Sequence, residues 1–139
     1  GLKKMSKSDP SDLSRINLRD DKDQIISKIK KAKTDPLPMP SDYNKLSERP
    51  EVENLIGIYS SLTNQKLEQS INEFNGKNFS EFKTKLSEIL VEKIIPISSE
   101  IKKLLENSDY LDDILLEGSN KADLIASKKI KEIKKLVGF

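Results

Sequence analysis

The sequence predicts an all-α fold, a helical bundle set behind an N-terminal loop. Three observations carry this. Apolar residues recur every three or four positions from residue 25 onward, the spacing that places them on one side of a helix. Asp, Ser, Thr, Asn, Pro and Gly stand where helices start and stop. The connections are short, which favours antiparallel neighbours. The alternating stretch Arg15-Ile16-Asn17-Leu18 is too short to read as a strand.

Residues 1–19 read as loop or extended chain, with turn chemistry at Asp9-Pro10-Ser11-Asp12. Residues 21–33 read as the first helix, capped by Asp20 or Asp21, with Ile25, Ile26, Ile29 and Ala32 on its apolar face. Acids at its start and lysines at its end complement the helix dipole. Residues 35–47 read as a loop stiffened by Pro36, Pro38 and Pro40 and pinned by Leu37 and Met39. Pro50 suits the first position of a second helix, with Val52, Leu55, Ile56, Tyr59 and Leu62 on one side. Gly57 inside it suggests a close helix crossing or chance. Thr63 is expected to cap a third helix that turns Leu67, Ile71 and Phe74 inward and ends at Gly76.

The longest seam is Phe79, Phe82, Leu86, Leu90, Ile94, Ile97, Ile101 and Leu104. It runs through Pro96, so one long helix kinked there is expected rather than two. Ser108 is expected to cap a short helix holding Leu111, Ile114 and Leu115, closed by Gly118. Asn120 is expected to cap the last, with Ala122, Ile125, Ile130, Ile133 and Val137 inward.

The chain has no cysteine and no histidine. That excludes thiolate chemistry, Ser-His-Asp catalysis and every His-containing zinc site. No apolar run is long enough to cross a membrane. Net charge is +2, unevenly spread. Residues 1–34 carry ten basic and five acidic groups, residues 35–120 nine and sixteen, and residues 121–139 six and two. Two basic ends flank an acidic middle, an asymmetry that matters to a polyanionic partner. In the last segment Lys128, Lys131 and Lys135 share a stripe offset from Ile130, Ile133 and Val137, and are candidates for contacts with RNA phosphates.

Lys4-Met5-Ser6-Lys7-Ser8 is the stretch that carries candidate chemistry. Two ammonium groups three positions apart on a non-helical loop can grip phosphate oxygens as point charges, and the serine hydroxyls add neutral donors. On composition alone this is a solvated lysine-rich tail; the order of the residues says more. It matches the KMSKS signature of class I aminoacyl-tRNA synthetases. The flanking Asp9-Pro10-Ser11-Asp12, Lys30-Lys31-Ala32-Lys33-Thr34-Asp35-Pro36, Arg49-Pro50-Glu51 and Asn54-Leu55-Ile56-Gly57-Ile58-Tyr59 resemble the C-terminal portion of the bacterial-type tryptophanyl-tRNA synthetases. The tyrosyl enzymes are the nearest relatives and usually depart from Met at the Met5 position.

The resemblance implies a ligase that activates tryptophan with ATP and transfers it to tRNA(Trp). Lys4 and Lys7 would hold the phosphates and act catalytically, Met5 would lie near the adenine, and Ser6 and Ser8 would donate to phosphate or fix the loop. Magnesium is expected with ATP, although no ligand set for it stands out, and turn formation explains Asp9 and Asp12 better. The resemblance divides the chain into residues 1–19, the loop and a linker from a catalytic domain that would precede it, and residues 20–139, a helical region supporting the loop and reaching the tRNA anticodon. It implies a cytoplasmic homodimer as parent and no activity for this stretch alone. A non-enzymatic helical module that binds RNA or protein is the competing reading.

Overall fold

A computed structural model describes residues 9–138. Within them are five α-helices: α1 (Lys22–Lys31), α2 (Pro50–Thr63), α3 (Leu67–Phe74), α4 (Phe79–Glu106) and α5 (Ser108–Val137), with a short 3-10 helix over Tyr43–Glu48 before α2. No strand occurs among the described residues. The described residues up to Ser99 form one compact unit and those from Glu100 form a second.

The first unit holds the core. Ile25 and Ile29 of α1, Val52, Leu55, Ile56 and Tyr59 of α2, Ile71 and Phe74 of α3, and Phe82, Leu86 and Leu90 of α4 are buried together. At its centre three rings meet edge to face or tilted: Tyr59–Phe74 at 4.9 Å, Phe74–Phe82 at 5.0 Å and Tyr59–Phe82 at 6.1 Å between centroids. Such pairs add about 0.5–1.5 kcal/mol each beyond area burial. The Tyr59 hydroxyl donates to Glu73 at 2.9 Å. Burial, reinforced by that carboxylate, pushes the phenol up to about 12.

Local chemistry sets the ends. Asp21 caps α1 in a reciprocal box: its carboxylate accepts from Gln24 N–H, and the Gln24 side chain accepts from Asp21 N–H, both at 2.8 Å. Asp20, the other candidate cap, is buried instead. Pro50 opens α2 as expected. Thr63 does not cap α3; it is the last residue of α2, its hydroxyl donates back to Tyr59 O, and Asn64 in the left-handed region ends the helix. The start of α3 lies at Lys66, whose N–H donates to the Gln69 side chain at 3.0 Å, half of a capping box, since a lysine side chain has no acceptor to complete it. Gly76, at φ +70°, takes the left-handed turn after α3.

The proline loop is pinned by one of its two expected anchors. Met39 is buried and trades backbone hydrogen bonds with Lys77 and Gly76, while Leu37 is 57% exposed. The other fastener is Arg49, which donates to both Asp35 carboxylate oxygens at 2.8 and 2.6 Å and to the carbonyls of Pro38 and Leu37. The hydrogen bonds from Arg49 hold the Asp35 carboxyl below the usual carboxylate range. A Cβ added at Gly57 would meet nothing within 4 Å, so no close crossing accounts for that glycine.

α4 runs unbroken through Pro96, one long helix as expected. The C-terminal stretch differs from expectation. Gly118 and Asn120 do not separate two helices; α5 is a single helix capped by Asn107, whose side chain accepts from Tyr110 N–H. A glycine inside a helix costs about 1 kcal/mol relative to alanine, too little to break 30 residues of otherwise helical chain. Nor do Ile114, Leu115, Ala122, Ile125, Ile130, Ile133 and Val137 turn inward, since no residue of α5 is buried. Three-and-four spacing makes a helix amphipathic but does not supply a surface to cover it.

Candidate functional site

Lys4, Met5, Ser6, Lys7 and Ser8 lie outside the described residues. What the structure describes is the segment that carries the loop, from Asp9 to the start of α1. That segment is folded on itself. The Asp9 carboxylate accepts from Ser11 N–H at 2.9 Å, as an Asx turn does. The Arg15 guanidinium donates to the carbonyl oxygens of Asp9 and Ser11 at 3.2–3.4 Å. Arg15 N–H donates to Asp12 O at 3.2 Å.

The same segment is fastened to α1 by an ionic node. Lys28 Nζ lies 2.7 Å from Asp12 Oδ2 and 2.7 Å from Asp20 Oδ2. The Lys28 and Asp20 side chains are each 6% exposed, and that of Asp12 is 47% exposed. Asn17 completes the node: its N–H donates to Asp20 at 2.8 Å, and its side-chain amide donates to Asp20 at 3.3 Å and Asp12 at 3.4 Å. Burial would raise the Asp20 carboxyl, but hydrogen bonds from Lys28 and Asn17 and the lysine charge outweigh it, and the group titrates below its ordinary value. Burial would likewise lower Lys28, but its bonds to Asp12 and Asp20 leave it raised. The carboxylate of Asp12 is thus engaged by Lys28 and Asn17, a role beyond turn formation.

Sequence reasoning missed this node, yet a signal was present. Lys28 stands three residues after Ile25 and one before Ile29, on the buried stripe of α1. A lysine on an apolar stripe is almost never fully buried unless paired.

A groove of about 790 Å³ runs along α1 and the first turns of α4. Ile26, Phe79 and Val91 give it an apolar floor, and Lys22, Lys30 and Lys83 stand along it. Lys83 is already engaged: it donates to Ala32 O at 2.6 Å and Lys30 O at 3.2 Å, closing the C-terminal end of α1, and burial lowers its pKa. Among the described residues no three or more Asp or Glu side chains are grouped so as to hold a metal ion.

Lys128, Lys131 and Lys135 all lie exposed on α5. Of their neighbours, Lys129 pairs with Glu132 at 3.0 Å and Lys121 pairs with Glu117. No helix among the described residues is long and apolar enough to cross a membrane.

The family model described as tRNA synthetases class I (W and Y) matches residues 1–94. Over all 139 residues the chain is 49% identical to the tryptophan–tRNA ligase of Agrobacterium fabrum and 47% identical to that of Rhizobium meliloti, covering 39% of each. It is 49% identical to the tryptophan–tRNA ligase of Rickettsia felis, covering 42% of it. The chain therefore spans about two fifths of the length of these relatives.

Proposed function

The chain belongs to the class I tRNA synthetases of the W and Y group, and from that membership we propose that it is the C-terminal part of a tryptophan–tRNA ligase. The observation that carries the reading is similarity along the whole chain, 44–49% identity to relatives bearing that name, with Lys4-Met5-Ser6-Lys7-Ser8 intact at its start. A helical RNA-binding or protein-docking module would require neither.

On this reading the complete enzyme takes tryptophan, ATP and tRNA(Trp) and acts as a homodimer. The tryptophan carboxylate attacks the α-phosphorus of ATP, pyrophosphate leaves, and the tryptophanyl group then passes from AMP to tRNA. Negative charge grows on the leaving pyrophosphate during the first step. Ammonium groups that meet that charge mainly in the transition state raise the rate rather than tightening ground-state binding. Lys4 and Lys7 fill this role, with Lys7 the larger contributor, while Met5 lies near the adenine and Ser6 and Ser8 donate to phosphate or steady the loop. Magnesium arrives with ATP as part of the substrate, and no residue here is assigned to it. The helical remainder supports the loop and contacts the tRNA, with Lys128, Lys131 and Lys135 as candidate phosphate contacts. The 139 residues alone are expected to show no tryptophan-dependent ATP–pyrophosphate exchange.

The test is Lys7→Ala in the full-length ligase, read by ATP–pyrophosphate exchange. The expected loss in kcat is about 10²- to 10³-fold, with the KM for tryptophan within about threefold of the parent. A kcat within about threefold of the parent refutes the assignment.

A further inference from the structure

The groove along α1 and the first turns of α4 holds two cations that the fold leaves unused. Lys22, Ile26 and Lys30 line it from α1 at intervals of four residues, so they share one side of that helix. The side chains of Lys22 and Lys30 are exposed and make no ion pair or hydrogen bond among the described residues. The helix rise between them is about 12 Å. Lys83, the third cation, is spent on the carbonyl oxygens of Ala32 and Lys30. Glu88, the acid on the rim, is paired with Lys85 at 3.3 Å. The charge left available in the groove is therefore positive.

The floor is apolar. Ile26 of α1 and Phe79 and Val91 of α4 line it and are only partly buried. Arg49 already lies over the Phe79 ring, 5.7 Å from its centroid, so Ile26 and Val91 are the open part of the floor. Along the α4 wall Thr84 Oγ1 donates to Ser80 O and Ser87 Oγ donates to Lys83 O. Both hydroxyls are thus left to the groove as acceptors. Cations at two ends, an apolar floor and hydroxyl acceptors match a single-stranded run of RNA. Its phosphates meet the ammonium groups, a base face covers the floor, and base N–H groups donate to the hydroxyls. A duplex keeps its base faces stacked and would leave the floor wet. An acidic amphipathic helix needs a continuous apolar track, and Lys83, Thr84 and Ser87 interrupt one here.

We propose that this groove takes an unpaired stretch of the RNA substrate, with Lys22 and Lys30 on phosphates and Ile26 and Val91 beneath a base. This rests on the ligase reading above and does not depend on the lysines of α5.

The experiment uses the full-length ligase and a transcript of its tRNA(Trp). Parent, Lys22→Gln/Lys30→Gln and Ile26→Thr are compared by tRNA binding across a salt series, with chemical footprinting of the bound RNA and thermal unfolding alongside. In the lysine variant the plot of log affinity against log salt should become shallower by about 0.7 for each lysine, which is about a tenfold loss of affinity near 0.15 M salt. Ile26→Thr should weaken binding at least about fivefold with the slope unchanged, because it removes apolar contact and no charge. If Ile26→Thr does not fold, Val91→Thr on the opposite wall is judged by the same outcomes. Footprint positions lost in either variant should be unpaired nucleotides. Parent-like affinity and slope in the lysine variant overturn the proposal and leave the groove to another occupant, such as an acidic peptide. A weakened lysine variant beside a folded floor variant of parent-like affinity also overturns it, since surface charge alone explains that pair. Footprint losses confined to base-paired stems overturn the single-stranded occupant. Tryptophan-dependent ATP–pyrophosphate exchange by the parent is measured separately. Its absence refutes the ligase reading, whereas exchange beside unchanged RNA binding in the variants refutes the groove alone.

Discussion

Replacing Lys28 by Met tests the node as a folding element. Methionine keeps an unbranched apolar stem of similar length and removes the ammonium, so the buried volume changes little. What changes is Asp20. Its side chain is 6% exposed, and it loses a cation at 2.7 Å while keeping the two Asn17 hydrogen bonds at 2.8 and 3.3 Å. Removing one partner of a buried ion pair costs about 3–5 kcal/mol. The surviving Asn17 donors favour the lower end, about 3 kcal/mol, or roughly 10 °C in Tm for a chain of this size. The assay is thermal and urea unfolding by circular dichroism, with Asp20→Asn/Lys28→Met as control. The double variant has no orphaned charge and should recover at least part of the loss. The pH dependence follows from the directions of the two shifts. Asp20 is depressed in the folded state, so its contribution is present above the unfolded carboxylate value of about 4 and is lost as pH falls through the folded value. Lys28 is raised, so its contribution is present below about pH 10 and is lost as pH climbs through the folded value. The gap between parent and Lys28→Met should therefore be widest near neutrality and narrow in acid. A loss below about 1 kcal/mol at about pH 7, or a gap unchanged from about pH 7 to about pH 3, refutes the reasoning.

Two further outcomes are expected. Gly118→Ala should stabilise α5 by up to about 1 kcal/mol, since the position is mid-helix and nothing lies within 4 Å of an added Cβ; an unchanged or lower helix melting temperature counts against it. Replacing Lys128, Lys131 and Lys135 together by Gln should weaken tRNA binding by the full-length enzyme. It should also flatten the plot of log affinity against log salt by roughly 0.7–0.9 for each phosphate no longer neutralised; an unchanged slope with intact helicity assigns these lysines to solubility.

Periodicity and proline placement make most of the first unit readable in advance. Ile25, Ile29, Val52, Leu55, Ile56, Tyr59, Ile71, Phe74, Phe82, Leu86 and Leu90 are core residues in the structure and stand at helical spacing in the sequence, and Pro50 starts α2 where it should. Caps are less readable because Thr, Asn and Gly are permissive rather than decisive. Thr63 bonds backward into α2, and Gly118 and Asn120 sit inside α5. Burial on α5 escapes the sequence for a different reason: a stripe predicts a helix face, whereas burial depends on a partner that a stripe does not encode. For the candidate site, Lys4-Met5-Ser6-Lys7-Ser8 is singled out by residue order alone and lies outside the described residues. The node in the segment that follows it in the chain is not singled out by order, because Asp12, Asn17, Asp20 and Lys28 acquire their meaning only when that segment folds back onto α1.

The Arg49–Asp35 pair closes a loop between residues fourteen positions apart. A chain without cysteine has here a reversible cross-link in place of a disulfide, and the thermodynamics differ. A disulfide restricts the unfolded ensemble as well as the folded one; an ion pair vanishes on unfolding and restricts only the folded chain. In this loop the other half of the task falls to Pro36, Pro38 and Pro40, whose fixed φ angles limit the unfolded segment. The division of labour leaves the segment responsive. Acid that protonates Asp35, or salt that screens it, loosens the fastening without breaking a covalent bond, while the proline stiffness persists.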